Sequence, residues 1–91
     1  MIPDTRVVYN LSMSNVIHFS AVIWEEEGQY VSRCPELGVA SAGNTPKEAL
    51  ENLREAVELY LENADELGIL EDVMPSLESG EKYITTLDLV R

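Results

Sequence analysis

Cations are scarce in this chain. Only 6 lysines and arginines stand against 17 aspartates and glutamates, a formal net charge of −11, and the pI is near 4.2. Binding to nucleic acid rests on clustered cations that release counterions. No basic cluster occurs, so no direct contact with DNA or RNA is expected. Cys34 is the only cysteine, which rules out an intramolecular disulfide and a four-ligand zinc site built on cysteines. Long hydrophobic runs are missing as well. The longest apolar-rich stretch, Val16 to Trp24, is broken by His18 and is too short to cross a bilayer. No basic segment leads into an apolar one, so no secretory leader is expected. Together these shortages predict a reduced, cytoplasmic protein with no metal, no cofactor and no membrane contact.

What remains is enough for one small domain. The chain has 91 residues, 45% of them hydrophobic, with a mean hydropathy of −0.09. A domain of this size buries only about 60–65% of the surface its unfolded chain exposes, so its stability margin is thin. Residues 1–15 read as an N-terminal arm or an extra strand over Thr5–Leu11, with Tyr9 on its apolar face. Residues 16–91 read as the domain itself. Val16–Trp24 alternates Ile17, Phe19, Ala21 and Ile23 onto one apolar face, as a half-buried strand does. Glu25–Gly28 is the turn and Gln29–Cys34 the returning strand. A four-residue loop pairs Ile23 with Tyr30, Ala21 with Ser32 and Phe19 with Cys34. Val22, Trp24 and Val31 then gather on the opposite face, where they need a cover: the N-terminal arm or another subunit. Pro35 ends the second strand because it offers no N–H to the ladder. Val39–Ala42 forms a short third strand, stopped by Gly43-Asn44.

Thr45-Pro46-Lys47-Glu48 is a helix start: Thr45 as N-cap, Pro46 at the first position, Glu48 completing a capping box. Apolar residues recur at helical spacing from Ala49 to Leu67, and Gly68 is the natural stop. Ile69–Gly80 reads as a connection with apolar anchors such as Leu77, with room for a helical turn. Lys82–Val90, rich in β-branched and apolar residues, reads as a last strand. The expected fold is therefore α+β: a two-layer sandwich in β-β-β-α-β order, with an antiparallel-rich sheet and one long helix on one face.

The run Tyr30 to Ala56 resembles the signature of the HicB-like antitoxin family. A Tyr-led strand is followed by Pro35-Glu36-Leu37, a short strand, Gly43-Asn44-Thr45-Pro46, then Glu48-Ala49-Leu50 and Glu55-Ala56 on the helix. The resemblance covers roughly residues 17–67. It implies a degenerate ribonuclease H-like fold, a dimer or tetramer, and an antitoxin role. In that role the domain would cover the catalytic histidine of a small basic, HicA-like, mRNA-cleaving toxin. Larger members add a C-terminal DNA-binding domain; none is expected after Leu67 here, because the remaining residues hold the last strand.

Other chemistry is poorly supplied. His18 and Cys34 fall on opposite faces of the expected hairpin, so they do not make a nucleophile and its base. Val16–Trp24 carries no carboxylate, so a ribonuclease H-like metal pair has no ligands. Gly43-Asn44-Thr45-Pro46 has one glycine and one nearby cation, and capping explains it better than phosphate binding. No enzymatic activity is expected. The helix surface is more informative. Glu51, Glu55, Glu58 and Glu62 follow at spacings of four, three and four and form one acidic ridge. Like charges at such spacings destabilise a helix, and a basic partner would remove that cost. The ridge is either such a contact surface or a solvated face. The expected function is an antitoxin-like protein that neutralises a small basic toxin by direct contact, or else an orphan homo-oligomeric interaction domain. The oligomer contact is expected at Val22, Trp24, Val31 and Tyr9.

Overall fold

A computed structural model describes residues 17–91; the N-terminal arm, the strand over Thr5–Leu11 and Tyr9 lie outside the described residues. The architecture is α+β in two layers, as expected. Three strands, β1 (Val22–Glu26), β2 (Gln29–Cys34) and β3 (Val39–Gly43), precede two helices, α1 (Pro46–Leu67) and α2 (Leu70–Glu78). The strands form an antiparallel sheet in the order β1-β2-β3, and α1 crosses β3 and β2.

The hairpin register differs from the expected one. Glu26 pairs with Gln29, Trp24 with Val31 and Val22 with Arg33, so the loop is two residues long rather than four. Glu27 and Gly28 both take positive φ, 52° and 83°, the geometry of a type I′ turn, whose twist matches the flanking strands. The Glu25 carboxylate accepts the Gly28 N–H and supports the turn. The slip amounts to two residues in pairing, and side chains alternate with a period of two, so every face assignment survives. Ile23, Ser32 and Cys34 look toward the helix; Val22, Trp24 and Val31 look away. The first strand is shorter than expected, because residues 17–21 leave the ladder and the His18 N–H instead donates to the Leu77 carbonyl of α2.

Helix α1 begins and ends where its signals lie. The Thr45 side chain accepts the Glu48 N–H at 3.0 Å. The Glu48 carboxylate reaches one residue further back than in the usual box, to the Asn44 N–H. At the other end Gly68 turns left-handed, and the Ile69 and Gly68 N–H groups close on the carbonyls of Ala64 and Asp65. Gly43 explains how the helix comes so close to the sheet: a Cβ there would stand 2.6 Å from the Ala49 nitrogen. The core is small. Cys34, Leu53 and Val57 form its centre, with Phe19, Ala21, Leu37, Val39 and Leu61 packed around them. The buried Ser32 hydroxyl donates to the Ala49 carbonyl at 2.8 Å, so no lone polar group is left there.

Two C-terminal expectations need correction. In Ile69–Gly80 the helical turn is a longer element than expected: α2 occupies most of the connection despite Pro75, with Leu77 fully buried. Pro75 costs one intrahelical bond; burial of Leu77 and the bond from His18 hold the turn in place. The closing strand is not formed: residues 79–91 have no regular structure and pair with no strand among the described residues.

Candidate functional site

On α1 the side facing the sheet buries Ala49, Leu53, Val57 and Ala64. At 100° per residue, Glu51, Glu55, Glu58 and Glu62 fall within about 60° of the circumference, diametrically opposite Leu53 and Val57. All four are exposed. Among the described residues no cation comes within ion-pairing distance of them. Lys47 and Glu51, and Arg54 and Glu58, sit at helical spacing but do not form ion pairs. The ridge is thus an outward row of carboxylates on the rigid element best anchored to the sheet.

The other sheet face carries the second candidate surface. Trp24 stands directly opposite Val31, with Val22 alongside and opposite Arg33. Val22 and Val31 are half-buried, and Trp24 is 41% exposed. The structure therefore brings together the three expected interface residues that it describes.

A third cluster escaped the sequence reading. The Glu36 carboxylate, in the turn between β2 and β3, accepts the Ser20 N–H at 3.0 Å on both oxygens and the Ser20 hydroxyl at 2.8 Å. Lys82 pairs with it at 2.7 Å and also donates to the His18 carbonyl. The Cys34 thiol donates to the same carboxylate at 3.4 Å. Burial alone would raise the Glu36 pKa. The Lys82 ammonium and the Ser20 donors outweigh it and hold the group down at about 2. Cys34 moves the other way: burial, reinforced by the neighbouring carboxylate, pushes its pKa up. A thiol kept protonated is a poor nucleophile, so the cluster acts as a clasp. It ties the residues before β1, the β2–β3 turn and the root of the C-terminal segment together. Its only trace in the sequence is Pro35-Glu36-Leu37, because Ser20 and Lys82 are remote along the chain. His18 and Cys34 make no catalytic pair: the His18 side chain is exposed and Cys34 is buried.

Among the described residues no group of histidines, cysteines and carboxylates has the arrangement to hold a metal ion, and no helix is long and apolar enough to cross a membrane. Comparison with known proteins bears on these surfaces. A UPF0150 protein of Helicobacter pylori (strain J99 / ATCC 700824) is 46% identical to this chain over 54 residues, covering 56% of the chain and 75% of that protein. No solved structure matches this chain. A family described as "Family of unknown function (DUF7387)" matches residues 14–85, most of the domain described above. With so much of it matched, the chain belongs to this family.

Proposed function

We propose that this protein is an antitoxin-like binding module that neutralises a small basic, HicA-like, mRNA-cleaving toxin by direct contact, with Glu51, Glu55, Glu58 and Glu62 facing the toxin. The observation that carries this reading is the row of exposed carboxylates on α1, aimed away from the sheet and met by no described cation. Repulsion along such a row costs the free helix stability, and a cationic partner relieves it. The similarity to a UPF0150 protein and the HicB-like order of motifs from Tyr30 to Ala56 support the same reading. The module acts by covering a surface and has no catalytic role. Association through such a ridge is fast at low salt and slows as salt rises.

The test is co-expression with the short basic protein of an adjoining reading frame, followed by growth rescue and binding kinetics. Glu55→Gln with Glu58→Gln should slow association and weaken rescue. Equal rescue and equal on-rates for the variant would defeat the proposal. A second reading, a homo-oligomer without a toxin, draws on Trp24, Val22 and Val31, an apolar group on the face away from α1. A Trp24→Ser variant that loses assembly while no basic neighbour binds would favour it.

A further inference from the structure

α2 is a helix that its own sequence supports poorly. It has nine residues, and helices shorter than about 12–15 residues are marginal in water unless something packs on them. Its N-cap is Ile69, which offers no side-chain acceptor to the first turn. Pro75 lacks the N–H that would close on the Glu71 carbonyl. The last turn holds no cation and carries Glu78 at the negative end of the dipole. Glu71 and Asp72 in the first turn are the favourable local charges, and they do not make up for the rest. α1 is the opposite case: capped by Thr45, closed by Gly68, and buried along the sheet through Ala49, Leu53, Val57 and Ala64.

What holds α2 therefore lies outside it. Among the described helices and strands it packs on α1 alone. Leu77 is fully buried but stands outside the cluster of Cys34, Leu53 and Val57. The Leu77 carbonyl accepts the His18 N–H at 2.9 Å. Lys82, just beyond the helix, donates to the carbonyl of that same His18 and pairs with Glu36 at 2.7 Å. One residue is thus held from both sides of its backbone, its N–H by α2 and its C=O by Lys82. Glu36 fixes the arrangement to the β2–β3 turn and, through the Ser20 N–H and hydroxyl, to the residues before β1. The two grips on His18 need the same placement of the chain, so each supports the other.

We propose that α2 is a conditional helix and that the Glu36–Lys82 clasp is its latch. When the clasp opens, residues 70–82 unwind as one unit while α1 and the three-stranded sheet stay folded. Such an order–disorder element belongs to the least stable part of a fold. A group that takes the Glu36 carboxylate from Lys82 frees the chain from Leu70 onward. The device stands whether or not the protein neutralises a toxin.

The test is amide hydrogen exchange on the full chain, under conditions where reclosing outpaces exchange. Lys82→Met keeps the length of the stem and removes the charge. The amides of α2 and of His18 should then exchange about tenfold faster, by one common factor, while those around Leu53 and Val57 keep their rates. Pro75→Ala restores a helical N–H and should slow the same set, His18 included, in the parent and in the Lys82→Met chain. Amides of α2 indifferent to Lys82→Met would overturn the proposal. So would an equal acceleration at Leu53 and Val57, since the domain would then open all at once. A Pro75→Ala chain in which α2 gains protection and His18 does not would overturn it as well, because the helix and the clasp would then be uncoupled.

Discussion

Glu36 has a pKa of about 2 in the folded chain against an ordinary value of 4.5. Between those two pH values the unfolded chain binds the extra proton. The clasp therefore stabilises the fold fully above about pH 4.5, and that contribution is lost as pH falls toward 2. With the side chain only 10% exposed, the full difference is worth at most about 3 kcal/mol. Glu36→Gln should lower stability by about 1–3 kcal/mol near neutral pH. The gap between parent and variant should close through the acid range, measured as paired denaturant titrations at several pH values. A gap that stays constant in acid would show that charge has no part in it. Gly43 sets a different constraint. Its φ is ordinary, but an added Cβ meets the Ala49 nitrogen at 2.6 Å and the Glu48 carbonyl carbon at 2.9 Å, both backbone atoms that cannot rotate aside. Gly43→Ala should cost about 1–3 kcal/mol, read as a lower melting midpoint. Reading the sequence identified Gly43 as the stop of a strand; the close approach of the helix backbone was not visible in it. Glu36 was equally hidden, because a carboxylate in a turn looks solvated until Ser20 and Lys82 are folded against it.

At the scale of elements, local signals were legible and pairings were not. Thr45, Pro46 and Gly68 place both ends of α1 without any tertiary knowledge, since caps act within one turn. Thr45→Ala should lower stability by about 0.5–2 kcal/mol, seen as a lower midpoint together with fraying of the first turn by amide exchange. An unchanged midpoint would mean that the Glu48 contact alone secures the start. The hairpin shows the limit of composition. Glu25, Glu26 and Glu27 look alike as turn residues, and only the positive φ pair Glu27-Gly28 fixes the register. Alternation protected the face assignments because the slip was even. Pro75 removes one helical N–H from α2, and the buried Leu77 and the bond from His18 hold the helix in place. In Lys82–Val90 strand propensity was present, yet the segment pairs with no strand among the described residues; such propensity expresses itself only against a partner.

For the whole molecule, the excess of negative charge is the dominant field. The free domain carries the repulsion of the α1 ridge as a standing cost. Glu55→Gln with Glu58→Gln should stabilise it by a few tenths of a kcal/mol per removed pair. Added salt should raise the midpoint of the parent more than that of the variant, because screening already does for the parent what the substitutions do. Thermal melts at low and high salt check both signs; a variant less stable than the parent would mean the glutamates support folding instead. The small core offers its own way to follow such changes. Its centre is the chain's only thiol, Cys34, fully buried and hydrogen-bonded to Glu36. An alkylating reagent finds no other sulfhydryl and reaches this one only through openings that part the sheet from α1. Where reclosing outpaces the reagent, the labelling rate is the reactivity of an unfolded cysteine multiplied by the opening constant. Every substitution above that loosens the contact between α1 and the sheet then appears as a proportionate acceleration at one sulfur atom, so the native protein times its own opening without an added probe.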